Sequence, residues 1–385
     1  MSLTPSRPPV DLHAVAAAFQ LHGRFSEGAP YGSGHINDTF AITMDQAGRP
    51  VRYILQRIND RIFRDVPALM DNIHRVTSHS AQVAAKEGSS DSRNALALVP
   101  ARDGATWHRD PQGGFWRCYL FIEQARTYDV VESPRHAFEA ARAFGAFQRM
   151  LVDLPGARLH ETITGFHDTR ARLETLKRAV AADRAGRAHE VRAEIDFALA
   201  HEPIAGVLLD LQARGDVPER VTHNDTKFNN VMLDERTACA VCVIDLDTVM
   251  PGLALYDFGD MVRSATNAAA EDECDVSEVA MRMDIFEGLV NGYISSAGAF
   301  LNEAERAHLA FSGKLITYEI GLRFLTDHLE GDVYFKIKRP GHNLDRCRTQ
   351  FALVRSIEQQ EPAMQSLVAQ VCATHDRLET ARRKL

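Results

Sequence analysis

Apolar and polar positions change rhythm along this chain. In residues 36–44, Phe40 and Ile42 stand between polar neighbours, the period-two pattern of a half-buried strand. Asp45-Gln-Ala-Gly-Arg-Pro50 is turn chemistry, and residues 51–58 follow with β-forming side chains. Strand, turn, strand predicts an antiparallel hairpin. Residues 95–99 and 116–123 read as two more strands around the Gly113-Gly114 turn. The stretch 28–34, Gly-Ala-Pro-Tyr-Gly-Ser-Gly, reads as turn, and the Pro-rich first ten residues as a loose arm.

Helical spacing governs most of the remainder. Residues 11–21 and 65–83 predict helices, with Pro67 in the first turn of the second. Ser133 and Pro134 supply a cap and a first helical residue, and Ala137, Ala141, Phe144, Phe147 and Leu151 then share one face. The segments 170–200, 275–297, 302–328 and 343–375 are also helical in character. One β-rich island, 221–246, interrupts them. The expected class is α+β: a small antiparallel β-rich N-terminal lobe, 1–124, and a larger, mainly helical C-terminal lobe, 125–385. Two lobes joined by one short crossing leave a cleft, where ligands usually bind.

Composition narrows the class without naming a chemistry. The 385 residues hold 45% hydrophobic and 25% charged side chains, ordinary values for a soluble globular chain with a sizeable core. A net charge of −8 lacks the footprint of a general nucleic-acid binder. Six cysteines are too few for a disulfide framework. Cys239 and Cys242 form a lone C-x-x-C inside an apolar strand-like run and read as buried small hydrophobes. No signal peptide and no apolar run of about 18 residues is present, so a cytoplasmic location without a membrane span is expected.

The chemistry concentrates in the island. His223, Asp225 and Asn230 fit H-x-D-x-x-x-x-N, and Asp245 closes the run Val243-Ile-Asp. Phosphoryl transfer needs this set: one carboxylate to engage the attacking hydroxyl, and an Asn and a second Asp to hold Mg²⁺ against phosphates. Singly, each has a plainer reading: a cap, a structural histidine, a turn. A His/Asp metallohydrolase would want more histidines than the island's His223.

The island resembles the catalytic segment of the aminoglycoside phosphotransferase and choline kinase superfamily, relatives of protein kinases. His223-Asn-Asp-Thr-Lys-Phe-Asn-Asn230, Val243-Ile-Asp-Leu-Asp-Thr-Val-Met-Pro-Gly252 and Tyr256-Asp-Phe-Gly-Asp260 are more similar still to the N-acetylhexosamine 1-kinases. So are Tyr31-Gly-Ser-Gly-His-Ile-Asn-Asp-Thr-Phe40, Tyr53-Ile-Leu-Gln-Arg-Ile-Asn59, Arg323-Phe-Leu-Thr-Asp327, Gly331-Asp-Val-Tyr-Phe-Lys336 and His342-Asn-Leu-Asp-Arg346. The resemblance implies a bilobal kinase-like fold whose N-terminal lobe binds ATP. It implies Asp225 as catalytic base and Asn230 and Asp245 as Mg²⁺ ligands. Gly32, Ser33 and Gly34 would cover the phosphates with backbone N–H groups. The crossing at Glu123 and Ala125 would meet adenine. Arg323 and Tyr334 would touch the sugar, with His223 beside them.

One position departs from the family pattern. Such kinases usually carry a Lys or Arg on the third strand, where this chain has Gln56-Arg57. Alternation puts the two on opposite faces. Register on the preceding Ile-Leu favours Gln56; charge favours Arg57. The acceptor segment 335–350 holds Lys336, Lys338, Arg339, Arg346 and Arg348 against Asp345 alone, which argues against a cationic acceptor such as choline. The expected substrate is a neutral sugar. Another alcohol of the homoserine or methylthioribose kind, or a catalytically weak nucleotide-binding regulator, stays open on the sequence.

Overall fold

The computed structural model describes residues 10–32, 36–88 and 91–382. The chain divides into two compact units, Met1–Gln124 and Ala125–Leu385.

The first unit is an antiparallel sheet with two helices. Its elements are α1 (Leu12–Ala17), β1 (Arg24–Pro30), β2 (Asp38–Gln46), β3 (Arg49–Ile58), α2 (Val66–Lys86), β4 (Leu98–Val99), β5 (His108–Arg109) and β6 (Phe115–Leu120). The strand order is β1-β2-β3-β6-β4, with β5 also on β6. The hairpin β2–β3 forms as its alternation predicts. Residues 24–30, by contrast, make an edge strand where part of the stretch reads as turn. Pro30 closes that strand at the sheet edge, the place where a missing N–H costs least.

The two sheet faces differ in chemistry. Ile42, Met44, Tyr53, Leu55, Trp116 and Cys118 share one face and pack with Val15, Ala16 and Phe19 of the N-terminal segment. Arg57 lies on this face, one pleat beyond Leu55. The other face carries a polar row across three strands, Thr39 opposite Gln56 opposite Arg117.

The second unit begins with β7 (Ala125–Arg126), α3 (Pro134–Met150), α4 (Thr169–Ala182), α5 (Arg192–Ala200) and α6 (Val207–Ala213). Ser133 caps α3 by accepting from the His136 N–H, with Pro134 following as the sequence predicts. The Ala/charged stretch 170–200 is two helices, because Asp183 turns into the left-handed region at φ 38°. Then come β8 (Arg220–Thr222), β9 (Val231–Asp234), β10 (Ala240–Val243) and β11 (Met250–Gly252), in the small ladders β10-β9-β7 and β11-β8. The unit closes with α7 (Ala254–Ala265), α8 (Met283–Ala297), α9 (Glu303–Ala307), α10 (Leu309–Glu330) and α11 (His342–Arg382).

Glycines let these helices approach closely. A Cβ at Gly292 of α8 would fall 2.1 Å from the Phe138 carbonyl of α3, and one at Gly259 of α7 would fall 2.4 Å from the Ser312 carbonyl of α10. The Tyr-Asp-Phe-Gly string therefore lies at a helix crossing, which anchors the segment before it. The central core gathers Phe144, Phe258, Phe286, Tyr293 and Leu353. Among the described residues, no helix is long and apolar enough to cross a membrane. Cys239 and Cys242 are free thiols, the latter buried.

Candidate active site

Strand β8 delivers the chain into the loop 223–230, and one buried carboxylate fixes that loop. Asp257, in the first turn of α7, accepts from the His223 N–H at 2.9 Å and the Asn224 N–H at 2.7 Å. Gln148 of α3 donates to the same carboxylate at 2.5 Å, and the Thr226 hydroxyl donates to the Asp257 carbonyl at 2.6 Å. Burial pushes the Asp257 carboxyl up from its ordinary value, while His223 and the N–H donors pull it down. Asn224 is held at φ 64°, a region Asn tolerates better than most residues. Its amide is locked between Thr222 and the Thr248 carbonyl.

His223 takes a place different from the expected substrate contact. It is fully buried. The Asp225 N–H donates to its Nδ1 at 3.3 Å, so Nε2 carries the hydrogen and donates to the Ile244 carbonyl at 2.9 Å. Both ring nitrogens are spent on backbone. The imidazole thus ties the Asp225 loop to the strand that ends at Asp245.

Asp225 is half-buried. The Lys227 ammonium stands 2.8 Å from its Oδ1. Burial works to raise the carboxyl, but Lys227, then His223 and Arg263, outweigh it and hold Asp225 below the ordinary carboxylate range. The same pair raises the Lys227 ammonium, chiefly through the Asp225 charge and against burial. An ionised carboxylate of this kind can accept a hydrogen bond from a hydroxyl.

The Asn230 amide donates to the Asp225 carbonyl at 2.8 Å and lies 3.3 Å from Oδ2. Its Oδ1 is thereby the atom left to act as ligand. The Ile244 N–H donates to the Asn230 carbonyl at 2.9 Å, so Asp225, Asn230 and Asp245 are gathered about one strand end. Asp245 is exposed and sits at φ 60°. Among the described residues no group of three or more His, Cys, Asp or Glu could hold a metal by itself. Two hard-oxygen side chains at one place do fit Mg²⁺, which keeps waters and substrate phosphates as its other ligands.

In the first unit, Ser33 and Gly34 lie outside the described residues, and Gly32 has φ 77°. Gln56 donates to the Thr39 hydroxyl at 3.0 Å and accepts from Arg117 Nε at 2.9 Å. Its face therefore carries the guanidinium of Arg117, a residue that no local pattern singles out. Arg57, on the other face, lies against Gly114, where a Cβ would come within 2.7 Å of its Nε. Glu123 pairs with Arg52, and its carbonyl takes Arg93 Nη1 at 3.4 Å. Ala125 is buried and stands opposite Asp234 in the β7–β9 ladder.

Arg323 and Tyr334 are neighbours. The Arg323 guanidinium lies 5.4 Å from the Phe166 ring, 5.9 Å from Tyr334 and 5.5 Å from Phe335. Phe324, one residue on, is core. Asp327 shapes the segment that carries Tyr334. It accepts from the Val333, Tyr334 and Phe335 N–H groups at 2.9, 2.8 and 2.9 Å, and from Asn343 Nδ2 at 2.8 Å. A link from this cluster to the catalytic loop passes through Glu319, one turn before Arg323. Glu319 Oε1 lies 2.8 Å from His167 Nδ1, and His167 Nε2 lies 3.3 Å from the Asn224 carbonyl.

Folding offsets part of the cationic excess of 335–350. Arg339 pairs with Asp345, Arg346 lies 3.5 Å from Glu271, and Arg348 lies 2.6 Å from Glu194. Glu271 and Glu194 come from distant parts of the chain, so a local charge count missed them.

Asp225, Asn230 and Asp245 thus lie together on a unit that follows an antiparallel sheet. A sequence model of the phosphotransferase enzyme family, APH, matches residues 27–280, more than half of the chain. The chain belongs to that family and is a phosphotransferase with a hydroxyl group as acceptor. Solved structures share the fold. An aminoglycoside phosphotransferase from Alicyclobacillus acidocaldarius superposes with a TM-score of 0.56 at 13% identity, covering 97% of this chain and 99% of that one. A choline/ethanolamine kinase family protein from Mesorhizobium loti gives 0.51 at 18%, covering 94% and 98%. Spectinomycin phosphotransferase, solved with ADP and spectinomycin, gives 0.54 at 11%, covering 92% and 99%.

Proposed function

We propose that this enzyme transfers the γ-phosphoryl group of ATP to the anomeric hydroxyl of an N-acetylhexosamine. The observation that carries the reading is Asp225, a carboxylate kept ionised by Lys227 in a loop fixed by Asp257. It accepts the hydrogen of the attacking hydroxyl and aims its oxygen, which is most of what phosphoryl transfer asks of a protein. Asn230 and Asp245 hold Mg²⁺, which supplies charge neutralisation at the phosphates. Gly32, Ser33, Gly34 and the Gln56 face, with its Arg117, serve the phosphates; Glu123 and Ala125 lie at the adenine. Arg323 and Tyr334 receive the sugar, an aromatic ring beside a guanidinium.

An acceptor panel read by ADP release tests this: N-acetylglucosamine, N-acetylgalactosamine, homoserine, methylthioribose and choline. The N-acetylhexosamines turn over best, and Asp225→Asn lowers kcat by roughly 10²- to 10⁴-fold with ATP binding intact. Full turnover in Asp225→Asn sinks the base assignment. A different alcohol as best acceptor sinks the sugar assignment. The paired state of Arg339, Arg346 and Arg348 favours keeping that second reading in the panel, because it weakens the charge argument against cationic acceptors.

A further inference from the structure

The peptide group between Asn224 and Asp225 leads directly into the proposed base, and a histidine stands at each end of it. At one end the Asp225 N–H donates to His223 Nδ1 at 3.3 Å. At the other, His167 Nε2 lies 3.3 Å from the Asn224 carbonyl oxygen. The preceding peptide is also held at both ends: the Asn224 N–H donates to Asp257 at 2.7 Å, and the His223 carbonyl accepts from the Thr248 hydroxyl at 2.7 Å. His223 belongs to the loop itself. His167 reaches it from the segment before α4, and none of the roles above uses it.

His167 is 6% exposed, with the Phe166 and Tyr256 rings 4.7 and 4.9 Å away. Its second nitrogen, Nδ1, lies 2.8 Å from Glu319 Oε1. Glu319 is wholly buried, and its Oε2 accepts from the Thr169 hydroxyl at 2.5 Å. Carbonyl and carboxylate oxygens only accept. Both ring contacts are therefore filled only when each nitrogen carries a hydrogen. A neutral imidazole beside an ionised carboxylate would turn one lone pair on an oxygen. Burial works to raise the Glu319 carboxyl, but His167, then Thr169 and Arg323, outweigh it and hold Glu319 below the ordinary carboxylate range. His167 is thus an imidazolium that donates twice, whereas His223 Nδ1 accepts.

The opposite roles of the two rings select one orientation of the peptide. Turned over, it would set its carbonyl against the His223 lone pair and its N–H against the His167 N–H. Asn224 stands at φ 64°, a conformation that persists where the surroundings hold it. The plane of this peptide sets φ of Asp225, and with it the direction in which the carboxylate leaves the backbone. We propose that His167, kept doubly protonated by Glu319, is a positioning residue for Asp225: it donates to the Asn224 carbonyl and fixes the peptide that aims the base at the acceptor hydroxyl. This rests on the reading of Asp225 as the base.

Two double variants isolate the donor. His167→Phe/Glu319→Gln and His167→Gln/Glu319→Gln both remove the buried ion pair, and only the second puts a donor, the Gln amide, near the place of Nε2. Turnover is measured on the full chain with ATP and the best acceptor of the panel, per ADP-binding site counted by calorimetry. The kcat of the Phe variant falls about 10- to 100-fold below that of the Gln variant, with the ATP and acceptor KM of the two within about twofold. Equal kcat per site overturns the inference, since a residue that only fills space leaves folded sites equally active. In the wild type at neutral pH, nitrogen NMR of isotope-labelled histidines shows both ring nitrogens of His167 carrying hydrogen. A bare nitrogen overturns the inference too, and that reading needs no variant to fold. Full turnover in Asp225→Asn takes down the base assignment and this role with it. With Asp225→Asn inactive, equal kcat in the two His167 variants removes the role of His167 and leaves the proposed function standing.

Discussion

Two buried carboxylates do the same job in two places with different results. Asp257 and Asp327 are both almost wholly buried, and each collects its donors from backbone N–H groups and one side-chain amide. Neither is paired with Lys or Arg among the described residues. Around Asp257 the bound loop is closed on itself: His223 and Asn224 are buried, with their side chains bonded inside the fold. Around Asp327 only the backbone is held. Val333 and Tyr334 stay 74% and 61% exposed. The same device thus gives a fixed geometry at the proposed base and a supported but open surface at the proposed sugar contact. Backbone clamping decides where a segment runs; what the side chains then pack against decides how much freedom remains.

Breaking each clamp tests that contrast. Asp257→Ala strands two buried N–H groups and the Gln148 amide that also meets Tyr293, at 2.5 Å. A loss of roughly 3–5 kcal/mol in unfolding free energy is expected, with turnover falling alongside it. Urea denaturation measures the first, and a loss under about 1 kcal/mol removes Asp257 from its central place. Asp327→Ala frees a segment that faces outward, so its N–H groups can find water. The expected cost is smaller, about 1–2 kcal/mol, and the main effect is a rise in acceptor KM with kcat and ATP KM nearly unchanged. A fall in kcat equal to that in Asp257→Ala erases the distinction between the two clamps.

The sequence announces these regions unequally. The hairpin, the Ser133-Pro134 helix start and the H-x-D-x-x-x-x-N island are local patterns, and all are present in the fold. Asp225, Asn230 and Asp245 stand out as candidates because strand ends concentrate them within a few residues of apolar runs. His223 is legible as a residue but not as a role, since only the fold brings the Ile244 carbonyl to its ring. Asp257, Glu319 and Arg117 are silent. Their partners lie far away in the chain, and nothing in the local spacing shows that their charges end up buried. Arg346 and Arg348 mislead for the same reason in reverse: their acids arrive from elsewhere.

Asp225 sharpens the comparison, because it is the carboxylate of the three that a cation holds. Removing that cation gives the smallest and most specific effect. Burial alone would raise the Asp225 carboxyl; Lys227 is the largest influence pulling it the other way. In Lys227→Met the largest influence opposing burial is gone, so the carboxyl moves up. The base must be ionised to accept a proton, so the acid limb of kcat/KM moves to higher pH in the variant. Stability follows the same sign. A carboxyl held below its unfolded value, about 3.9, contributes stability above that pH and loses it as the pH falls through the folded value. The difference in unfolding free energy between wild type and Lys227→Met therefore shrinks as pH drops below about 4. A variant that lowers turnover but leaves the acid limb where it was would mean that Lys227 does not hold Asp225 ionised, and the contrast between a charge-held base and two amide-held clamps would go with it.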